Sequence, residues 1–433
     1  MNFVDQAVVG DGVYKRNMHI LVLSAMFPSI NQPWMDTYLE QLQKNKLNFS
    51  IYSANKKIGK YHAKVDRLGL HQVIINIDLS FISLVTTLLK FFLLHPFKFL
   101  KTVQKSYLIT YNLNKKYRLD VLKVFLRLIY FGYEDTIFSK FTIIHSHGEA
   151  LAFEFILLSC MQNVPIVYTF HGLLPRGVPH IGDMKRRVLY GEVTHVLVNT
   201  KFAMKQARAI GCPTEKMIII PQGLPLSEYI YTSKSCPRIN ESLCLLTVGR
   251  LHKEKGYGYS LLAIARLLRF GLKLEYHIVG TGPDIFWIRN LINRLGILDH
   301  VTIHEGLEKN DLDKFYQKAH IFILPSLSNP IDQWVETQGV VLQEAQACGC
   351  IPVATRVGGI PECVNDKQDA ILVKDRSSKA ICEAVRYLLD RPEEWQSFQN
   401  NGRRNVELNF SADVIGKKMA GILRGIAEEG KKN

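Results

Sequence analysis

Short apolar runs alternate with stretches whose apolar residues recur every three or four positions, and this alternation covers most of the chain. The run at 19–24 predicts a buried strand, the periodic segment 35–43 a helix, and 49–53 a second strand. The same elements return as strands at 142–146, 166–170, 196–199 and 217–220, with helices at 150–160 and 202–210. Strand and helix in alternation predict a parallel sheet covered on both faces, the doubly wound α/β arrangement. The second half repeats it, with strands at 245–248, 274–279, 301–304, 321–324 and 351–354. Its helices fall at 259–269, 285–295, 312–319, 340–348, 377–389 and 392–400. A last helix near 411–426 is long enough to cross back and brace the first domain.

One segment departs from this alternation. From Phe81 to Leu93 apolar residues fall at offsets of three and four, a helical stripe that Pro96 ends. Behind it come Lys98, Lys101, Lys105, Lys115, Lys116, Arg118, Lys123 and Arg127, mixed with Phe97, Phe99, Leu100, Tyr107, Phe125 and Tyr130. Between 81 and 133 there are nine Lys or Arg against one acid, Asp120, so over half of the formal charge of +15 sits here. A basic amphipathic patch of this kind suits an anionic membrane face. The alternative is a pair of helices packed on the domain with their lysines in water.

At 433 residues the chain exceeds one hydrophobic core. The expected division is a first Rossmann-like domain at 18–229 carrying the insertion 81–133, a linker at 230–242, a second Rossmann-like domain at 243–408, and the returning helix at 409–428. A hydrophobic fraction of 47% excludes a disordered chain. The eight cysteines are scattered, and Cys348 and Cys350 do not complete a zinc set, so reduced core thiols are expected. The opening MNFVDQAVVGDGVYKRN lacks the charge-then-apolar order of a signal peptide. No uncharged apolar run reaches the ~18 residues that span a bilayer. Together these predict a cytoplasmic protein, peripheral at most on the inner face of the cell membrane.

In a doubly wound sheet, ligands bind beyond the carboxyl ends of the strands. His147-Gly148 and His171-Gly172 both follow strands, and the glycine after His171 allows a substrate close approach. His147 and Arg176, the latter beside a loop at 177–182 with Lys185, Arg186 and Arg187, are candidates for an acceptor side. After the first strand of the second half, Gly249-Arg250-Leu251 turns out toward Lys255 and Gly256. The guanidinium fork and the lysine point charge suit a diphosphate. Gly280-Thr281-Gly282 ends the strand at 274–279 and either passes a ligand or makes a turn. The stretch VETQGVVLQEAQACGCIPVATRVGGIPE, 335–362, sets Glu336 and Glu344 seven intervening residues apart, with Gly339 just before a helix. An acid there accepts polyol hydroxyls or simply complements the helix dipole. No GxGxxG fingerprint supports an NAD site, and no Asp-x-Asp pair suggests a metal.

The segments VGRLHKEKG at 248–256, HIVGTGP at 277–283 and ETQGVVLQEAQACGCIPVATRVGGIPE at 336–362 resemble the retaining glycosyltransferases of family GT4. FHG at 170–172 and IIPQGL at 219–224 extend the resemblance into the first half. The resemblance implies a GT-B fold, two Rossmann-like domains facing each other across a cleft. It implies that a sugar moves from a nucleoside-diphosphate sugar to a saccharide or lipid-linked acceptor, as in polysaccharide or lipopolysaccharide biosynthesis, without cofactor or metal. It gives Arg250 and Lys255 the donor diphosphate, Glu344 the donor ribose, and Glu336 with Gly339 the transferred sugar. Gly280 joins the donor set, and His171 lies near the reacting centre. Two stretches depart from the family pattern: the loop 24–34 lacks the usual glycine-rich turn, and 326–334 precedes the first glutamate with an unusual sequence. Rival readings are another GT-B enzyme such as an epimerase or phosphorylase, a nonenzymatic membrane-associated protein of degenerate transferase fold, and a nucleic-acid binder. For the last, no recognised module appears.

Overall fold

The computed structural model describes residues 18–29, 32–55, 61–75, 80–117, 121–133, 135–174, 181–238 and 240–430. Two all-parallel sheets organise them. The first comprises β1 (His19–Met26), β2 (Asn48–Asn55), β3 (Ile74–Ile75), β4 (Ile143–Ser146), β5 (Ile166–Phe170), β6 (His195–Val198) and β7 (Met217–Ile219), in the order β3-β2-β1-β4-β5-β6-β7. The second comprises β8 (Leu243–Val248), β9 (Leu274–Val279), β10 (Val301–His304), β11 (Ile321–Leu324), β12 (Ile351–Thr355) and β13 (Ile371–Val373), in the order β10-β9-β8-β11-β12-β13. Both sheets reverse direction of growth beside their first strand, between β1 and β4 and between β8 and β11. Loops splay apart at such a switch point and leave a crevice at the carboxyl ends of the strands.

The strands read as continuous apolar runs because helices cover both faces. In β1, Leu21 and Leu23 join the core on one side of the sheet, while Ile20 and Val22 join that on the other. In β8, Leu243 and Leu245 face one core, and Cys244 and Leu246 the opposite one. The helix Ala412–Glu429 places Ile415, Leu423 and Ile426 in the first sheet's core with Met35 and Leu39. Gln41 ties the helix down by donating to Asp413 at 2.9 Å.

Several elements were not expected. β3 and β13 are two and three residues long, too short to carry a period. The helix Asp183–Glu192 forms where the sequence shows basic residues around a loop. Its Arg186 is instead buried against Glu149 at 2.7 Å, so a charged position packs inward where the pattern marks it as solvent-facing. All eight cysteines are free thiols.

The insertion forms the helices Phe81–Leu94, Pro96–Tyr117 and Val121–Tyr133. The middle helix is inverted relative to a helix of a water-soluble core. Thr102, Ser106, Thr110, Leu113 and Tyr117 face inward, while Phe97, Leu100, Tyr107, Leu108 and Tyr111 stand in the open. Phe97 is 83% exposed and Leu93 75%, on either side of the His95-Pro96 turn. The expected basic face is partly consumed within the protein. Lys105 donates to the Met161 carbonyl at 2.6 Å, Lys116 pairs with Glu192 at 2.9 Å, and Arg127 lies 3.6 Å from Glu154. Arg118 lies outside the described residues.

Candidate functional site

The loop after β8 is built by close backbone approach. Leu251 donates its N–H to the Thr281 carbonyl at 2.8 Å, and the Tyr257 hydroxyl donates to the Gly249 carbonyl at 3.0 Å. A Cβ on Gly280, whose φ is +155°, would lie 1.9 Å from the Gly249 carbonyl oxygen. Gly280 is thus required for packing two strand-end loops together. This arrangement presents the Arg250 side chain to solvent. Lys255 turns the other way: its ammonium donates to Glu336 Oε2 at 2.5 Å and lies 5.1 Å from the centre of the Trp334 ring.

The loop carrying Glu336 is gripped from both domains. The Gly359 N–H donates to the Glu336 carbonyl at 2.9 Å, and a Cβ on Gly359 would meet the Thr337 carbonyl oxygen at 1.8 Å. From the first domain, Thr200 Oγ1 donates to that same Thr337 oxygen at 2.8 Å. Thr337 Oγ1 donates to the His171 carbonyl at 3.3 Å. Gln338 accepts from the Gln222 N–H at 2.7 Å and donates to its carbonyl at 2.9 Å. Glu362 takes the N–H groups of Lys201 and Phe202, both at 2.8 Å, at the start of a first-domain helix. Gly339, at φ +74°, then opens the helix Val340–Ala347.

Glu344 sits in the second turn of that helix and lines a cleft of about 560 Å³ between the domains. Oε2 accepts from the Tyr316 hydroxyl at 2.6 Å and Oε1 from Tyr229 at 3.2 Å. Burial raises its carboxyl pKa above the ordinary range, and the two hydroxyls and the nearby Lys309 charge offset part of that rise. On the other wall stand Trp34, Asp36, Thr37, His62, Lys64 and Arg67.

The histidines form a cluster at the ends of β4 and β5. His147 Nδ1 and His171 Nε2 are 3.3 Å apart, and the Trp34 ring lies 4.4 Å from that of His171. Behind them His145 is enclosed between the Tyr38 hydroxyl at 2.6 Å and Thr169 Oγ1 at 2.7 Å. Desolvation lowers all three, His171 to about 4 and His145 to about 3. His171 is therefore neutral near pH 7 and offers a hydrogen bond without a charge.

The structure thus joins Lys255 to Glu336, His147 to His171, and the Glu336 loop to the His171 backbone. Glu344 has its own tyrosine cradle in the cleft, which Arg250 and Lys255 do not line. Arg176 lies outside the described residues. Sequence reasoning did not single out Tyr229, Tyr316, Trp334, Asp36 or His62. No motif marks Tyr229, Tyr316, Asp36 and His62, because each reaches the site from a distant segment, and Trp334 ends the stretch 326–334 just before Glu336.

The model of the glycosyl transferases group 1 matches 233–405, and that of glycosyltransferase family 4 matches 101–228. The chain is similar to a GDP-mannose-dependent alpha-(1-6)-phosphatidylinositol monomannoside mannosyltransferase of Mycobacterium tuberculosis, 29% identical over 43% of this chain and 49% of that protein. It is similar to the amylovoran biosynthesis glycosyltransferase AmsK of Erwinia amylovora, 26% identical over 51% of this chain and 53% of that one. These matches span about half the length of the curated relatives. In fold it matches Anabaena HepE in complex with UDP-glucose, with a TM-score of 0.66, 16% identity and coverage of 94% and 100%.

Proposed function

We propose that this chain, which resembles the group 1 and family 4 glycosyltransferases of GT-B fold, is a retaining glycosyltransferase. It moves a sugar from a nucleoside-diphosphate sugar to a saccharide or lipid-linked saccharide, in the making of a polysaccharide or lipopolysaccharide. The observation that carries this reading is the placement of one motif's two carboxylates: Glu344 in the cleft wall on two tyrosine hydroxyls, and Glu336 on Lys255 beyond β8. The names of the relatives, a phosphatidylinositol monomannoside mannosyltransferase and an amylovoran biosynthesis glycosyltransferase, support the acceptor class.

The chemistry follows from charge. The leaving diphosphate gains negative charge as its bond to the anomeric carbon breaks. Arg250, Lys255 and the N–H groups opening the helices Tyr257–Arg269 and Val340–Ala347, each preceded by a glycine, oppose that charge. A phosphate oxygen takes Lys255 from Glu336, which frees the Glu336 carboxylate for hydroxyls of the transferred sugar. The acceptor hydroxyl attacks from the face the diphosphate leaves, and its proton passes to the departing phosphate oxygen, so the anomeric configuration is kept. Glu344 accepts from the ribose hydroxyls. Incubation with UDP-glucose, UDP-galactose, UDP-N-acetylglucosamine and GDP-mannose tests this. Diphosphate release with a retained anomer is expected, and absence of both binding and turnover with all four would overturn it.

Two further results are expected. Glu344→Gln weakens donor binding roughly tenfold, the worth of a hydrogen bond to a charged group, without lowering Tm. Its carboxyl is raised by burial, so ionisation costs stability as pH rises through that pKa, and the variant escapes this cost. Calorimetric titration with UDP and GDP, with a melting curve, checks both, and an unchanged Kd refutes the ribose role. Activity is also expected to survive EDTA, since Arg250 and Lys255 supply the cationic charge. Loss restored only by magnesium or manganese would refute metal independence.

The exposed apolar face of the helix Pro96–Tyr117 supports a peripheral position on a membrane. No described helix is long and apolar enough to cross one. The apolar tip around Phe92, Leu93, Leu94 and Phe97, with Lys90 and Lys101 exposed beside it, fits insertion to the level of the headgroups on the cytoplasmic face. A lipid-linked acceptor is presented there.

A further inference from the structure

We infer that Asp36 and His62 form the subsite that positions the acceptor sugar, an inference that rests on the glycosyltransferase reading. Asp36 is the fourth residue of the helix Pro33–Lys44, too far in to cap its N-terminus. It is 2% exposed, yet it lines the cleft opposite Glu344. Oδ2 lies 2.8 Å from His62 Nδ1, while Oδ1 has no hydrogen-bond partner among the described residues. A buried acceptor left unsatisfied is costly, and a hydroxyl supplied by a ligand would satisfy it.

With Nδ1 committed to Asp36, His62 leaves Nε2 for a ligand hydroxyl. The pair therefore offers two polar atoms, Asp36 Oδ1 and His62 Nε2, to two hydroxyls. Trp34, on the same wall, offers an aromatic face to the C–H surface of a sugar ring. The charges nearby favour a neutral ligand. Lys64 is held by Glu40 at 2.6 Å and Glu228 at 2.9 Å, so Asp36, Glu40 and Glu228 stand against Lys64 and Arg67. An uncharged pyranose fits the donors and acceptors present. Acting through hydrogen bonds to hydroxyls, Asp36 and His62 are positioning residues.

The test uses the full chain, the donor that wild type turns over, and octyl β-glucoside, octyl α-mannoside and octyl β-galactoside as probe acceptors. Asp36→Asn and His62→Gln should raise the KM for the octyl glycoside roughly 10- to 100-fold. Donor Kd and acceptor-free hydrolysis of the donor should stay at wild-type values, which a merely structural loss would lower together with Tm. Transfer at the wild-type KM by both variants overturns the subsite. Donor hydrolysis without transfer to any of the three glycosides by wild type overturns the neutral-sugar assignment. Failure of wild type to bind any donor instead strikes the glycosyltransferase reading beneath it.

Discussion

Lys255→Ala is expected to lower kcat/KM for the donor about 10²- to 10³-fold, and Arg250→Ala by a similar factor. Each removes a positive group aimed at an oxygen whose charge grows as the bond breaks, and loss of one such stabiliser costs ~3–4 kcal/mol of barrier. Lys255 is the more informative position. In the structure it is bound to Glu336 at 2.5 Å, with the pair at 17% and 14% exposure. Removing the lysine alone leaves a largely desolvated carboxylate without its partner, which destabilises the fold as well as the transition state. The double variant Lys255→Ala/Glu336→Gln separates the two effects. It should recover the Tm lost by the single variant and none of the activity. Glu336→Gln alone leaves Lys255 for the phosphate but removes the proposed sugar contact, so it should lower kcat with little change in nucleotide Kd. Steady-state diphosphate release, nucleotide titration and melting curves distinguish these outcomes. Wild-type turnover by Arg250→Ala/Lys255→Ala would refute the diphosphate site.

The second large effect concerns the hairpin. Replacing Ile82, Leu93 and Phe97 together by Ser should weaken binding to anionic vesicles at least 100-fold. These side chains are 75%, 75% and 83% exposed. Burying each such side chain fully is worth ~1.5–3 kcal/mol, so insertion of about two-thirds of the three, ~3–6 kcal/mol, exceeds the ~2.7 kcal/mol that a factor of 100 requires. The electrostatic share is smaller than the count of basic residues suggests, because Lys105, Lys116 and Arg127 are engaged within the protein. Salt therefore removes only part of the binding, since screening acts on charges and leaves the apolar contribution intact. Sedimentation with phosphatidylglycerol and phosphatidylcholine vesicles at low and high salt measures both shares. Wild type remaining in the supernatant with anionic vesicles at low salt would refute the membrane face, and the triple variant should keep full donor hydrolysis in solution.

The sequence by itself determined the two parallel sheets. β5, β9, β10 and β11 fall at the expected positions: β5 and β11 as short, largely apolar runs, and β9 and β10, broken by Glu275, His277, Thr302 and His304, because strongly periodic helices bound them. The pair Glu336 and Glu344 and the Arg250–Lys255 turn were also legible, since each lies within one short segment whose spacing survives in the linear chain. The inverted face of Pro96–Tyr117 was only half legible. An apolar, basic helix was evident, but which side turned outward depends on Gly132, against which Thr102 packs so closely that a Cβ there would lie 2.4 Å from its methyl. Tertiary structure alone decided that Lys255 rests on Glu336 rather than standing free, and that Glu344 is cradled by Tyr229 and Tyr316. It alone brought Asp36 to His62 and left one carboxylate oxygen without a partner. These are contacts between side chains from 26 to 115 positions apart along the chain. Local pattern records how a segment buries its own apolar face. It carries no record of which distant polar group arrives beside it when two sheets close on a cleft.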